Sequence, residues 1–148
     1  MPSTPPVVDE PCPVARAVDI VGDRWSLLIV RDAFDGMRRF SDFQRNLGMA
    51  RNILADRLRK LTEAGILEMQ SASDGTSYQE YVLTTKGERL FPIVVALRQW
   101  GERNLFERGE RHSQLIDTRT GKTIPYMAPH ASDQTPLPPG RTKVKKVT

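Results

Sequence analysis

Leu54, Leu58 and Leu61 recur at i, i+4 and i+7, and Gly65 follows four residues after the last of them. At 3.6 residues per turn the three leucines share one narrow sector, with Ala50 near the same side, so residues 50–64 read as a helix with a single face against a core. Steps of about 100° per residue put Asn52, Ala55, Asp56, Arg59 and Lys60 on the opposite side, with Arg51 and Arg57 on the flanks. Gly65 stands where a glycine lets the chain leave a helix left-handed, and residues 66–70 then read as an extended run.

A shorter helix precedes this one. Ser41 with Gln44 three residues later has capping-box spacing, Phe40 fits the staple position, and Arg45 fits the polar face. Phe43 and Leu47 stack at i, i+4, and Gly48 ends the segment. Helix, glycine turn and helix together give helix-turn-helix grammar, the means by which a small protein offers a helix to the DNA major groove.

Charge supports that reading. Residues 23–60 carry nine Arg and Lys against five Asp, whereas residues 61–110 carry five basic against eight acidic side chains. Duplex DNA bears a negative charge about every 1.7 Å of axis, and basic side chains that displace its counterions supply most non-specific affinity. Residues 66–70 and 79–83 read as two short strands around an Asp74-Gly75 turn, which adds a hairpin wing to the helix pair. The loop over residues 71–78 has no Lys or Arg, so contacts from its hydroxyls, Thr76 and Ser77 among them, would be neutral hydrogen bonds to phosphate.

The elements outside the helix pair follow the same logic. Residues 13–21 read as a helix with Val14, Ala17, Val18 and Val21 on one side. Asp23 can cap the next helix, with Trp25, Leu28, Ile29 and Ala33 inside as core and Arg24, Arg31 and Asp32 outside. A long C-terminal helix is expected to begin at Thr85, capped by a box with Glu88 and kinked at Pro92. Its apolar residues lie on too many faces for one core, and a second copy is the economical way to cover them. The interface expected comprises Val14 and Val18 from the first helix with Leu90, Val94, Leu97, Trp100 and Leu105 from the last. A twofold dimer would present two reading helices about 34–36 Å apart, one DNA turn.

The resulting organisation is a flexible arm over residues 1–11, a mainly helical winged domain with its dimerisation helices over 12–108, a small hairpin over 109–127, and a flexible Pro-rich basic tail over 128–148. The tail ends in Arg141, Lys143, Lys145 and Lys146, which suits either added phosphate attraction or simple solubility. The N-terminal stretch lacks the basic and apolar regions of a secretion signal, and no apolar run nears the roughly 20 residues that span a bilayer, so a cytoplasmic protein with no membrane contact is expected.

Several runs then carry a family likeness: Cys12-Pro13-Val14, Val21-Gly22-Asp23-Arg24-Trp25, Arg39-Phe40, Leu54-Ala55-Asp56-Arg57-Leu58, Gly65-Ile66-Leu67, Tyr81-Val82-Leu83-Thr84, Lys86-Gly87 and Trp100-Gly101. In this order and spacing, over residues 12–105, the chain resembles HxlR-type transcriptional regulators, relatives of the MarR-type winged helices. The resemblance implies a bacterial, homodimeric, DNA-binding regulator. Two departures stand out: Ala50 replaces a hydroxyl cap at the head of the reading helix, and the wing lacks basic residues.

The function expected is sequence-specific regulation of transcription, as a repressor on a near-palindromic double-stranded operator. Arg51, Asn52, Ala55 and Asp56 are assigned to base edges, and Arg38, Arg39, Ser41, Arg59, Lys60, Thr76 and Ser77 to phosphates. The signal stays open between a small-molecule effector and a thiol-reactive one. The single Cys12 is either a small apolar filler or, beside a helix N-terminus, an oxidisable thiol. His112 and His130 are isolated from any metal-ligand spacing, and no cofactor or metal is expected. Enzymatic chemistry has no foothold, since no paired carboxylates, nucleophile with base, or glycine-rich phosphate loop occurs. The competing reading is a winged-helix protein-interaction module without specific DNA binding.

Overall fold

A computed structural model describes residues 11–72 and 74–147. The chain divides into two compact units, one up to Pro92 and one from Ile93 onward. The expected arm over 1–11 lies outside the described residues except for Pro11.

In the first unit the order is α1 (Pro13–Val21), α2 (Arg24–Phe34), α3 (Phe40–Leu47), α4 (Arg51–Glu63), β1 (Leu67–Ser71), β2 (Gln79–Leu83) and α5 (Thr85–Glu88). The core gathers Ile29 and Val30 of α2, Phe43 of α3, Met49 of the turn, Leu54, Leu58 and Leu61 of α4, and Ile66 and Leu67. These three leucines are essentially inaccessible, so the i, i+4, i+7 stripe is the buried seam of the domain. Strands β1 and β2 pair antiparallel, Leu67 opposite Leu83 and Ser71 opposite Gln79. The segment entering α3 adds one rung to this hairpin, with the Tyr81 amide donating to the Arg38 carbonyl at 2.7 Å. The architecture is a winged helix-turn-helix.

Glycines and caps fix its joints. Gly48 closes α3 in the left-handed conformation (φ +64°), and a three-residue turn leads to α4. Gly65 (φ +77°) ends α4 with both bonds of a Schellman motif, Ile66 N–H to Leu61 O at 2.9 Å and Gly65 N–H to Thr62 O at 3.0 Å. Lys86 Nζ donates to the Ala64 carbonyl at 2.7 Å, a cation at the negative end of α4.

Several expectations are corrected. Ser41 does not cap α3. The rung at Arg38 leaves a single residue before the chain turns helical, so Arg39 is the cap position and Ser41 lies exposed in the first turn. Asp32, expected outside, is wholly buried, because its carboxylate accepts from Arg31 Nη2 (2.9 Å) and Nε (3.1 Å) and from Asn46 Nδ2 (2.8 Å), tying α2 to the last turn of α3. Trp25 is only half-buried, with the Arg24 guanidinium 5.0 Å above its ring. Strand β1 starts at Leu67, one residue late, since Ile66 is still engaged in the Schellman turn.

The long C-terminal helix is two helices. Thr84, not Thr85, caps α5, because its hydroxyl accepts from the Gly87 amide at 3.0 Å while donating to the Gly65 carbonyl. Helix α6 (Phe91–Asn104) begins after a break at Arg89 and Leu90. Pro92 is the second residue of α6, a first-turn position where its missing N–H costs nothing, and the chain breaks at Arg89 and Leu90 rather than kinking within one helix as expected.

In the second unit α6 is followed by extended chain with an isolated antiparallel bridge between Ile116 and Thr123, a second between His130 and Pro136, and a short 3-10 turn, Pro139–Arg141. On α6 the side chains of Val95 and Gln99 are buried. No helix among the described residues is long and apolar enough to cross a membrane.

Candidate nucleic-acid interface

Because its leucines are committed to the core, α4 turns Arg51, Asn52, Ala55, Arg59 and Lys60 outward, all exposed, with Asp56 half-buried among them. Ala50 caps α4 without a side-chain bond, so the first amides of the helix stay available at its leading end. Arg51 lies 5.1 Å over the Phe40 ring, a cation–π contact that joins the start of α4 to the start of α3.

The basic face is organised around one carboxylate. Asp56 accepts from Arg57 Nη1 (2.7 Å) and Arg59 Nη2 (2.8 Å), and Lys60 Nζ lies 3.3 Å away. Hydrogen bonds from Arg59 and then Lys60 hold the Asp56 carboxyl below its usual value, and Arg59 is raised in turn by Asp56 and by Glu63 at 2.9 Å. Helical spacing puts Arg57 on a flank, with no contact evident from its position alone. It reaches Asp23, the cap of α2, at 3.2 Å and locks α4 to that helix. Burial pushes the Asp23 carboxyl up, but hydrogen bonds from the Ser26 hydroxyl and amide, the Arg57 charge and the Trp25 amide outweigh it and leave it lowered.

Arg38 and Arg39 sit where the chain enters α3, and both reach the hairpin. Arg38 Nη1 lies 3.3 Å from Glu80, a buried β2 carboxylate. Arg39 donates to Asp74 at the hairpin turn and stacks 4.9 Å over Tyr78. Asp74 also accepts from the Thr76 amide at 3.0 Å, and that bond, the Thr76 hydroxyl and Arg39 all lower its pKa. The basic side chain that the wing sequence lacks is therefore supplied from the α3 entry, a tie spanning 35 residues that no local pattern could reveal. Thr76 and Ser77 are exposed in the same loop.

The residues expected at a dimer interface are mostly uncovered. On α1, Val14 and Val18 are 70% and 55% exposed and Leu90 is half-buried. On α6, Leu97 and Trp100 are 50% and 58% exposed and Val94 is half-buried, and Leu105, just past the end of the helix, is 66% exposed. Cys12 is the half-buried cap of α1, its Sγ accepting from the Ala15 amide at 3.4 Å. Among the described residues no group of His, Cys, Asp and Glu is arranged to hold a metal ion.

Comparison with known proteins gives this geometry a context. The model of the HxlR-like helix-turn-helix family matches residues 20–109, more than half of the chain. The uncharacterized HTH-type transcriptional regulator Rv3095 of Mycobacterium tuberculosis is 47% identical over 92 residues, covering 62% of this chain and 58% of that protein, so the match spans little more than half of the relative's length. Among solved structures, PA1607, assigned as a transcription factor, superposes with a TM-score of 0.87 at 49% identity and covers 90% of this chain and 94% of its own. The redox regulator HypR in its reduced form gives 0.58 at 32% identity, over 64% of this chain and 94% of its own. The chain therefore belongs to the HxlR-like helix-turn-helix family of transcriptional regulators.

Proposed function

We propose that this regulator binds double-stranded DNA as a homodimer and represses transcription from a near-palindromic operator. The observation that carries the reading is the outward face of α4, polar and basic over a seam of buried leucines. In a major groove Asn52 suits adenine in bidentate fashion, Arg51 suits guanine, Ala55 allows close approach, and Asp56 accepts from cytosine while aligning Arg59 and Lys60. Arg38, Arg39, Ser41, Arg59, Lys60, Thr76 and Ser77 hold phosphates and set the register. Exposed apolar side chains on α1 and on α6 supply the surface for the second copy. The setting is the cytoplasm, with no membrane partner.

The experiment is selection of bound fragments from the source genome, followed by fluorescence anisotropy of the full chain on the enriched duplex. A palindromic half-site and binding well above that to random duplex or heparin at physiological salt support the reading. Equal binding to heparin and to the enriched duplex would leave the protein-interaction module instead. Light scattering at micromolar concentration should give twice the 16.7 kDa chain mass, and a monomer there refutes the twofold operator.

The signal belongs to the same reading. HypR is a redox regulator, and here the corresponding chemistry would fall to Cys12, through an intersubunit Cys12–Cys12 disulfide or a mixed disulfide with a small thiol. Full retention of an oxidant or quinone response by Cys12→Ser in an operator-release assay removes that role and leaves a small-molecule effector.

A further inference from the structure

In the second unit, α6 and the chain that follows it border an open cleft of about 260 Å³, with Arg103 and Tyr126 exposed at its rim. Val95, Leu115 and Ile124 supply its apolar walls, and Arg98, Arg103 and Tyr126 line the rest with Gln99, Glu102 and His112. The volume falls just under the range for drug-sized ligands, which restricts an occupant to a small molecule.

The polar groups are not equivalent. Arg98 is held by the Ser113 carbonyl and hydroxyl at 3.0 and 2.9 Å. Glu102, the one carboxylate of the lining, lies 3.9 Å from Arg98 and 3.5 Å from His112. Arg103 has no carboxylate partner among the described residues. Its guanidinium sits 3.6 Å from the centre of the Tyr126 ring, a contact that leaves the N–H donors uncommitted.

Tyr126 is held in place to do this. The buried Gln99 amide donates to the Pro125 carbonyl (3.1 Å) and accepts from the Met127 amide (2.9 Å), so the residues on either side of Tyr126 are laced to α6. A buried side chain spends both ends of its amide on fixing the one ring that carries the unpaired arginine. Such preorganisation removes part of the ordering cost of binding.

We infer that this cleft binds a small organic carboxylate, its anionic end on Arg103 and its apolar body against Val95, Leu115 and Ile124. Arg103 offers the forked, charge-assisted donor pair that carboxylates accept. The segment that forms the wall opposite α6 lies beyond the family match, which ends at residue 109. That occupancy tunes operator affinity rests on the DNA-binding reading above; the binding itself does not.

Isothermal titration of the full-length protein with benzoate, and with benzamide as its neutral counterpart, tests the assignment. Benzoate should bind about ten- to a hundredfold more tightly than benzamide, the scale of a charge-assisted bond, and Arg103→Met should erase that preference. Thr123 also lines the cleft, so Thr123→Trp, which fills it and leaves Arg103 in place, should abolish benzoate binding. Arg108→Gln, outside the lining, should leave it unchanged, and thermal melts check that each variant folds. Equal affinity for the two probes, benzoate binding indifferent to Arg103→Met, or no saturation by about 10 mM overturns the site. Tight benzoate binding with unchanged operator affinity would refute only the regulatory link, whereas loss of all operator binding would refute the DNA reading and leave the site standing.

Discussion

Arg59→Ala separates phosphate contact from base reading. In the free protein Arg59 is held by Asp56 and Glu63 across exposed, solvent-screened pairs, which a phosphate can displace at small cost. If each protomer of a dimer then places one Arg59 on a phosphate, the variant loses two contacts, and the slope of log K against log salt should shrink by about 1.8. Between 50 and 200 mM salt a change of that size amounts to about twelvefold, so the advantage of the native protein should be about twelve times larger at the lower concentration. The loss should be equal on operator and random duplex, because phosphates carry no sequence information. Asn52→Ala should do the reverse, lowering operator affinity by about 1–3 kcal/mol with little effect on random duplex or on slope. Fluorescence anisotropy over a salt series on both duplexes decides. Parallel salt lines for native protein and Arg59→Ala would refute the placement of α4 on the backbone.

Other expectations concern the scaffold. A Cβ at Gly87 would lie 2.2 Å from the Ile66 carbonyl oxygen and 3.0 Å from Leu83, so Gly87→Ala should cost at least the about 1–3 kcal/mol of overpacking, read as a lower urea midpoint. Asp32→Ala strips the acceptor from Arg31 and Asn46 in a buried setting and should cost about 1.5–3 kcal/mol by the same assay. Asp23 has a lowered folded-state pKa, so its contribution is complete above the unfolded value of about 3.9 and fades as pH falls below that toward the folded value. Asp23→Asn should accordingly flatten the stability profile below about pH 4, and an unchanged acid limb in thermal melts would contradict the role assigned to the Asp23 carboxylate as the cap of α2, held first by Ser26 and then by Arg57 and Trp25.

What the sequence disclosed and what it hid divide along the range of the interactions. The leucine seam of α4, the left-handed joints at Gly48 and Gly65 and the Asp74-Gly75 hairpin are local patterns of periodicity or turn chemistry, and each is found in its expected place. The misplacements at Ser41 and Thr85 share a cause: spacing alone locates a cap sequence, whereas the helix start is set by tertiary bonds, the Tyr81 rung at Arg38 and the Thr84 hydroxyl on Gly65. Helical periodicity puts Asp32 outside, and it is the Arg31 guanidinium together with Asn46, arriving from α3, that makes a buried carboxylate tolerable there. The same distinction governs the candidate interface. Helical geometry lays out Arg51, Asn52, Ala55 and Arg59 on one face and, at i+3 and i+4, sets Arg59 and Lys60 beside Asp56, but the arginine that ties α3 to the wing and the lock on Asp23 depend on partners brought together by folding. A binding helix could thus be found from one segment, while its alignment belongs to the whole domain. Arg57, which has no assigned contact to DNA, should therefore alter DNA affinity through orientation alone, and Arg57→Lys, which keeps the charge but not the forked reach to Asp23 and Asp56, should lose operator discrimination while retaining non-specific binding.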